Sequence, residues 1–198
     1  HQEIYRKLQN KFGLARLRGH SDTEVLLESF SLTGFVNTLK NIRGMFSLAL
    51  WDKYKKCLYL ARDRIGEKPL YYGTTNDKFF FSSELKALRV SKDWKFEINP
   101  EGMALQLRYG YIPSPFSIYK NVYKLKPGTY LKVFSNGIYE PPKKWWDLKI
   151  ELNKARSIKN NKTIDENVND LDNLLHEVIS EQMYSDVPLG GLLSGGID

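Results

Sequence analysis

The sequence contains one cysteine, Cys57. A single thiol cannot form an internal disulfide, which excludes a disulfide-stapled scaffold and fits a reducing compartment. Cys57 lies inside the apolar run CLYLA and is expected to be a packing residue. No apolar stretch approaches the roughly 18 residues of a membrane span, and no signal-peptide pattern opens the chain. There is no initiator methionine either: the chain begins HQEIYRKL, already a helical pattern, so His1 is expected to be an internal position of the natural protein. Lysine and arginine outnumber aspartate and glutamate by 30 to 23, a formal net charge of +7. That balance invites a nucleic-acid reading. The basic residues are scattered, however, with short pairs at Lys55-Lys56 and Lys143-Lys144 and no arginine-rich run, so a solvated basic surface is preferred.

What is present is enough to build a core. Hydrophobic residues make up 41% and aromatics 13% of 198 residues, which allows one or two domains. The stretch 44–88 organises the rest. Its apolar runs at 45–51, 57–61, 70–72 and 78–82 are separated by turn residues, at 52–56 and 74–77 among others. They predict an antiparallel meander. Ser82 or Ser83 is expected to cap a helix over ELKALRV. The loop Arg62-Asp63-Arg64-Ile65-Gly66-Glu67-Lys68-Pro69 is dense in charge. Arg–Asp pairing could fix such a loop, and spacing reveals no base or nucleophile beside it.

Upstream, Ile4, Leu8 and Phe12 recur at spacings of four and predict an amphipathic helix, followed by a short strand at 14–17. Ser21-Asp22-Thr23-Glu24 has the form of a capping box. It starts a helix with Val25, Leu26 and Phe30 on or near one face, and a second helix is expected over 35–42. Asp22 then stands in a first turn. One reading makes it a carboxylate serving the helix N–H groups and dipole; the other makes it a carboxylate that binds a ligand's ammonium group. Spacing alone favours the first.

Downstream, a helix is expected from Asn99-Pro100 to Tyr109, broken at 110–115. A strand follows at 130–134, with Ser135-Asn136-Gly137 as a hairpin turn and Ile138-Tyr139 as its return. Trp145-Trp146 is expected to anchor the end of the first domain. The polar stretch 153–162 reads as a linker. Thr163 should cap a long helix whose apolar face holds Val168, Leu171, Leu174, Leu175, Val178 and Ile179. His176 on that helix has no second metal ligand at a useful spacing and reads as a surface or packing residue. The run 187–193 predicts a strand covered on both sides. It leads into Ser194-Gly195-Gly196-Ile197-Asp198, a small glycine-rich loop of the kind that brings N–H groups near phosphate oxygens. The Gly-Lys-Ser or Gly-Lys-Thr ending of a Walker loop is absent.

Six segments carry a resemblance: SDTEVLLESF at 21–30, GMFSLALWD at 44–52, RDRIGEKPLYYG at 62–73, FSSELKAL at 81–88, GYIPSPFSIYKNVYKLKPGTYL at 110–131 and VPLGGLLSGGID at 187–198. In order and spacing the chain resembles the glutamine-hydrolysing asparagine synthetase family. The resemblance implies an α+β fold: an N-terminal-nucleophile-type α-β-β-α sandwich, truncated at its start, over residues 1–152. A linker at 153–162 and the first helix and strand of a parallel α/β ATP-pyrophosphatase domain at 163–198 would follow. The implied activity is ATP-dependent amidation of aspartate, through an aspartyl-adenylate, with ammonia taken from glutamine. The implied substrates are glutamine, aspartate and ATP with Mg2+, with no permanent cofactor, no protein-held metal, no nucleic acid and no membrane. A cytoplasmic location and a homodimer are compatible with it.

Carried over by residue, the resemblance makes Asp22 the ligand of the glutamine amino group. Leu193, Ser194, Gly195, Gly196 and Asp198 become the pyrophosphate loop, and Met45 with Leu192 or Leu193 would lie near the ammonia path. The family's nucleophile is an N-terminal cysteine whose own amine serves as base. His1 stands first here, Cys57 lies in the wrong motif to replace it, and the family's upstream arginine and Asn-Gly-Glu loop are missing. No catalytic residue is therefore assigned within this chain, which reads as an internal fragment that is inactive alone. Relatives that amidate another carboxylate, such as a sugar acid, or close a lactam ring share the same layout. Their acceptor sites would lie beyond Asp198.

Overall fold

The computed structural model describes residues 6, 10, 19, 21–75, 78–90, 94, 96–183, 185, 187–192 and 194–196. The chain divides into two compact units, His1–Glu151 and Leu152–Asp198. The expected helix over residues 3–12 and strand at 14–17 fall almost wholly outside the described residues, although Arg6 and Asn10 are helical.

From residue 21 on, the first unit contains α1 (Asp22–Thr33) and α2 (Phe35–Asn41). Two antiparallel sheets follow. One has strand order β1-β2-β6-β7, built from β1 (Ser47–Asp52), β2 (Cys57–Arg62), β6 (Thr129–Phe134) and β7 (Lys143–Lys144). The other has order β4-β3-β5, from β3 (Tyr71–Thr75), β4 (Lys78–Ser82) and β5 (Val122–Lys124). The four apolar runs near the start are thus not one meander. They form two hairpins, β1-β2 and β3-β4, that belong to different sheets. The loop Arg62–Lys68 carries the chain from one sheet to the other.

Period-two alternation explains why two sheets form. In β2, Leu58 and Leu60 join Leu131 and Val133 of β6, and Tyr72 of β3, in a core between the sheets. The next residue of each strand points the other way. Ala61 of β2 and Tyr130 of β6 meet Leu39 and Ile42 of the helical layer, with Phe30, Phe35, Trp145 and Trp146. Tyr71 of β3 and Phe80 of β4 face a third cluster, around Leu88, Trp94 and Val122. The helices α1 and α2 therefore cover the outer face of the first sheet, and a 3-10 helix (Leu85–Val90) with Trp94 covers the outer face of the second. Removing six such aliphatic and aromatic side chains from water is worth roughly 1.5–3 kcal/mol each before entropy is counted.

Several local expectations change. ELKALRV winds as a 3-10 helix rather than an α-helix. Ser82 does not cap it, since its Oγ donates to the carbonyl of Glu84. After β6 the expected return at Ile138-Tyr139 is a single bridge, Val133 to Tyr139, and the paired return strand is β7, further on at Lys143–Lys144. The 52–56 turn is confirmed, with Asp52 Oδ1 accepting the N–H groups of Tyr54 and Lys55. The helix α3 (Pro100–Tyr109) is capped by Asn99, whose Oδ1 accepts from Glu101 N–H, and ends at Gly110.

The helix α4 (Leu148–Ser157) runs into what the sequence suggests is linker. Leu, Lys, Glu, Ala and Arg are all good helix formers, and a polar sequence needs no apolar stripe where the helix is solvated. In the second unit, α5 (Ile164–Gln182) carries a complete capping box. Thr163 Oγ1 accepts from Glu166 N–H at 3.3 Å, and Glu166 Oε2 accepts from Thr163 N–H at 2.7 Å. The expected strand at 187–193 is not formed by residues 187–192, and Leu193 lies outside the described residues. A strand exists only as part of a ladder, and among the described residues no strand pairs with this run. Among them, too, no helix is long and apolar enough to cross a membrane.

Candidate functional site

Asp22 is the first residue of α1. Ser21 stands before it with extended backbone angles, and its Oγ accepts from Thr23 N–H at 3.2 Å. Asp22 Oδ1 accepts from the same N–H at 2.7 Å, while its carboxylate remains exposed. The capping box predicted here is not formed: Ser21 caps the second helical N–H, that of Thr23, rather than the third. Glu24 occupies the third helical position, but its Oε2 accepts from Gly19 N–H, at 2.9 Å. It reaches past the cap into the loop that precedes Asp22. His20, inside that loop, lies outside the described residues.

Behind α1 a hydroxyl cluster joins the two helices. Ser29 Oγ and Thr38 Oγ1 lie 3.2 Å apart, and Thr33 Oγ1 lies 2.9 Å from Thr38 Oγ1. Ser29 and Thr38 are buried. A buried hydroxyl needs a partner, and here each supplies the other's. Val25 is buried on the same helix. These contacts fix the body of α1 against α2, so the exposed end that bears Asp22 rests on a packed helix.

The charged loop after β2 is a lock rather than a reactive site. Asp63 is 1% exposed. Its Oδ1 accepts from Gly66 and Glu67 N–H at 2.6 and 2.9 Å, and its Oδ2 accepts from Lys68 N–H at 2.9 Å. Arg62 supplies the complement, donating to the carbonyls of Lys68, Leu125 and Gly66 at 2.7, 2.8 and 2.6 Å. Burial lowers the Arg62 pKa, and the Asp63 charge beside it opposes that shift. Arg64 donates to the carbonyls of Ile42 and Lys40 at the end of α2, neutralising acceptors that a helix C-terminus leaves unpaired. Trp145 Nε1 donates to Arg62 carbonyl at 3.2 Å, so the tryptophan expected to anchor the domain does so. Gly66 sits at φ 77°, and a Cβ there would fall 2.8 Å from the Pro127 ring. Conformation and space both demand glycine at that point.

Cys57 is 0% exposed inside β2, between Asp52 of β1 and Phe134 of β6. Its neighbour Tyr59 has its pKa pushed up to about 12, by burial first and by Cys57 second. A thiol packed between two strands cannot meet a substrate. Of the remaining residues singled out by sequence, Met45 and Leu192 are exposed. His176 is exposed on α5, 3.6 Å from Asp172 across one helical turn. Among the described residues, no group of three or more His, Cys, Asp or Glu is placed to hold a metal ion.

In the second unit, Ser194, Gly195 and Gly196 are described, and Leu193 and Asp198 are not. Ser194 Oγ accepts from Gly196 N–H at 3.4 Å, and Gly195 takes φ 75° with open space around its Cβ position. The three residues are exposed, and the positive φ of Gly195 is one that glycine adopts without strain.

Two face-to-face antiparallel sheets, with a helical layer outside the first, define the N-terminal-nucleophile class of α+β fold. A solved structure of the allosteric regulatory enzyme of purine biosynthesis shares that fold, with a TM-score of 0.51 at 19% identity, covering 73% of this chain and 26% of that one. Residues 1–146 match the family described as "Glutamine amidotransferase domain", and the chain belongs to it. A putative asparagine synthetase [glutamine-hydrolyzing] 2 of Methanocaldococcus jannaschii is 37% identical over 205 residues, covering 98% of this chain and 36% of that protein. Asparagine synthetase [glutamine-hydrolyzing] 1 of Bacillus subtilis is 33% identical, covering 90% of this chain and 27% of that protein. The chain therefore spans between about a quarter and just over a third of these relatives.

Proposed function

We propose that the full-length protein is a glutamine-dependent asparagine synthetase located in the cytoplasm, and that this chain supplies its glutamine-binding carboxylate and its pyrophosphate loop. The observation that carries the reading is the reach of the similarity. The family match ends at residue 146, whereas the relative at 37% identity matches 98% of the chain and so continues into the second unit.

In this reading Asp22 holds the α-ammonium group of glutamine. Its carboxylate is exposed at the start of a helix fixed from behind, and Thr23 N–H orients one of its oxygens. Such a charge-assisted pair is worth roughly 1.5–3 kcal/mol. Cys57 takes no part, because its thiol is enclosed in the sheet. Ser194, Gly195 and Gly196, with Leu193 and Asp198, receive the pyrophosphate of ATP, and Asp198 orients the magnesium that arrives with it. The positive φ of Gly195 and the open space beside it suit close approach of phosphate oxygens to main-chain N–H groups. Aspartate is the carboxylate that is adenylated and then attacked by ammonia.

The test is product balance in the full-length protein. Given glutamine, ATP, magnesium and aspartate, it should release glutamate, asparagine and pyrophosphate in equal amounts. Gly195→Val should stop pyrophosphate release while leaving glutamate release intact. Glutamate without asparagine would mean that another carboxylate is the acceptor. Normal pyrophosphate release from a folded Gly195→Val protein would remove the phosphate loop from the reading.

A further inference from the structure

We propose that Thr38 is a positioning residue for the glutamine site: it sets the rotation of α1 about its own axis, and with it the direction in which Asp22 is offered. The inference rests on the reading of Asp22 given above. It begins from the helical wheel of α1. At 3.6 residues per turn, Ser29 and Thr33 fall within about 20° of Asp22, and Val25 within about 60°. Val25 and Ser29 are the buried residues of α1, Thr33 is half-buried and Asp22 is exposed. One stripe therefore runs from the covered body of the helix to its open start. Asp22 stands at the end of that stripe, roughly 10 Å along the axis from Ser29. A roll of α1 that moves Ser29 carries Asp22 with it.

Hydroxyls centred on Thr38 hold that rotation. Thr38 Oγ1 donates to the Gly34 carbonyl at 2.9 Å. A hydroxyl has one proton and two lone pairs. The remaining contacts, 3.2 Å to Ser29 Oγ and 2.9 Å to Thr33 Oγ1, are therefore bonds that Thr38 accepts. Thr33 shares its proton with the Ser29 carbonyl, also at 2.9 Å. Thr38 thus spends its whole hydrogen-bonding capacity, twice on side chains of α1 and once on the corner between the helices. It is 0% exposed and Ser29 is 3% exposed, so bulk water cannot stand in for either. The rest of the contact is apolar: Phe30 stacks on Phe35 with ring centroids 5.1 Å apart, and Leu26 joins the same cluster. Apolar contact is non-directional and lets a helix roll, whereas directed bonds to a saturated hydroxyl admit one azimuth. An aspartate whose azimuth varies binds less tightly, because its ordering must then be supplied on binding.

The experiment uses the full-length protein and reads KM and kcat for glutamate release, with ammonia-driven amide formation as the reference reaction. Thr38→Val keeps the branched shape and removes the hydroxyl. It should raise the glutamine KM roughly three- to tenfold and leave kcat within about twofold. The ammonia reaction and the melting temperature should stay near the parent values, because Ser29 and Thr33 can still donate to carbonyls of their own helix. Thr38→Ser restores the hub and should bring KM back to within about twofold of the parent. Ser29→Ala breaks one of the three bonds and should raise KM by less than Thr38→Val. The double variant should be no worse than Thr38→Val alone, since both changes act on one cluster. A parent-like KM in Thr38→Val, additive losses, or a Ser variant as impaired as the Val variant would overturn the proposal. So would a fall in kcat, ammonia reaction and melting temperature together, which marks a purely structural role. Asp22→Asn separates the two levels. If it raises KM while Thr38→Val does not, only the positioning role fails. If Asp22→Asn leaves KM unchanged, the glutamine site itself is elsewhere and the positioning role falls with it.

Discussion

Asp63 and Asp22 both accept main-chain N–H groups in a turn beside an ordered element, and both stand in dense polar sequence. Their surroundings differ. Asp63 is buried, and both its oxygens are consumed, by three N–H groups of residues 66–68. Asp22 is exposed, and among the described residues only its Oδ1 is engaged, by Thr23. A carboxylate whose lone pairs are spent inside the protein is scaffold; one with an oxygen turned to solvent can still bind a cation. In sequence, the Arg62-Asp63-Arg64 cluster shows no base or nucleophile beside it and reads as charge pairing that could fix its loop. The structure agrees, because the cluster's charges are used up on its own loop and its neighbours.

The sharpest way to break this contrast is to remove the Asp63 carboxylate. Asp63→Ala strands three N–H groups and the Arg62 charge, and should destabilise the protein by about 3–5 kcal/mol. Thermal unfolding followed by circular dichroism reads the loss; a change below about 1 kcal/mol would mean that the loop is not a lock. Asp22→Asn should do the opposite. The glutamine KM should rise roughly 10- to 100-fold, at 1.4 kcal/mol per decade, with the melting temperature nearly unchanged. If stability falls and KM does not, Asp22 is the scaffold residue and the contrast is lost.

Smaller effects sharpen the comparison. Cys57→Ser places a hydroxyl in the sheet core and should cost about 1–3 kcal/mol of stability, while glutaminase activity per folded molecule stays at the parent value. Loss of glutaminase in the folded variant would restore Cys57 as a catalytic candidate. Glu166 provides a third carboxylate, exposed and serving as a cap. Thr163 N–H holds its pKa below the usual glutamate value, with the Thr163 hydroxyl adding to the shift. A depressed folded pKa means stabilisation that is complete above the unfolded value, about 4.3, and lost as pH falls through the folded value. The start of α5 should therefore fray in acid. In Glu166→Gln that acid step should vanish from the helical signal; its persistence would assign the step to another group.

Much of the fold was legible because short apolar runs between turn residues mark strands. Leu58, Leu60, Tyr72 and Phe79 announce strands as members of short apolar runs broken by turn residues, and Thr163 announces the cap of α5. What such runs cannot state is which strands share a sheet. Tyr71 and Phe80 pack in one layer and Ala61 and Tyr130 in another, and only the partners across the core decide that. The run at 187–192 misleads for a related reason, since apolar character marks a strand but only a neighbour makes one. Asp22 was visible as a cap, and its match to a family motif made it a ligand candidate. The reach of Glu24 to Gly19 was not visible, because Ser-x-x-Glu reads the same whichever N–H the glutamate takes. Both ends of the box at Thr163 show the form that signature normally predicts.

The lock also has a consequence for the order of events during synthesis. Arg62 NH1 reaches the carbonyl of Leu125, 63 positions ahead, and the Arg62 carbonyl receives Trp145, 83 positions ahead. The β1-β2 hairpin can form as soon as its residues leave the ribosome, since its contacts are local. The bonds within residues 62–68 are local too, whereas the bond from Arg62 to Leu125 must wait until Leu125 has been made. Through that interval the nascent chain holds a finished hairpin and a loop that still lacks its two long-range bonds, and the core between the sheets waits for Leu131 and Val133 of β6.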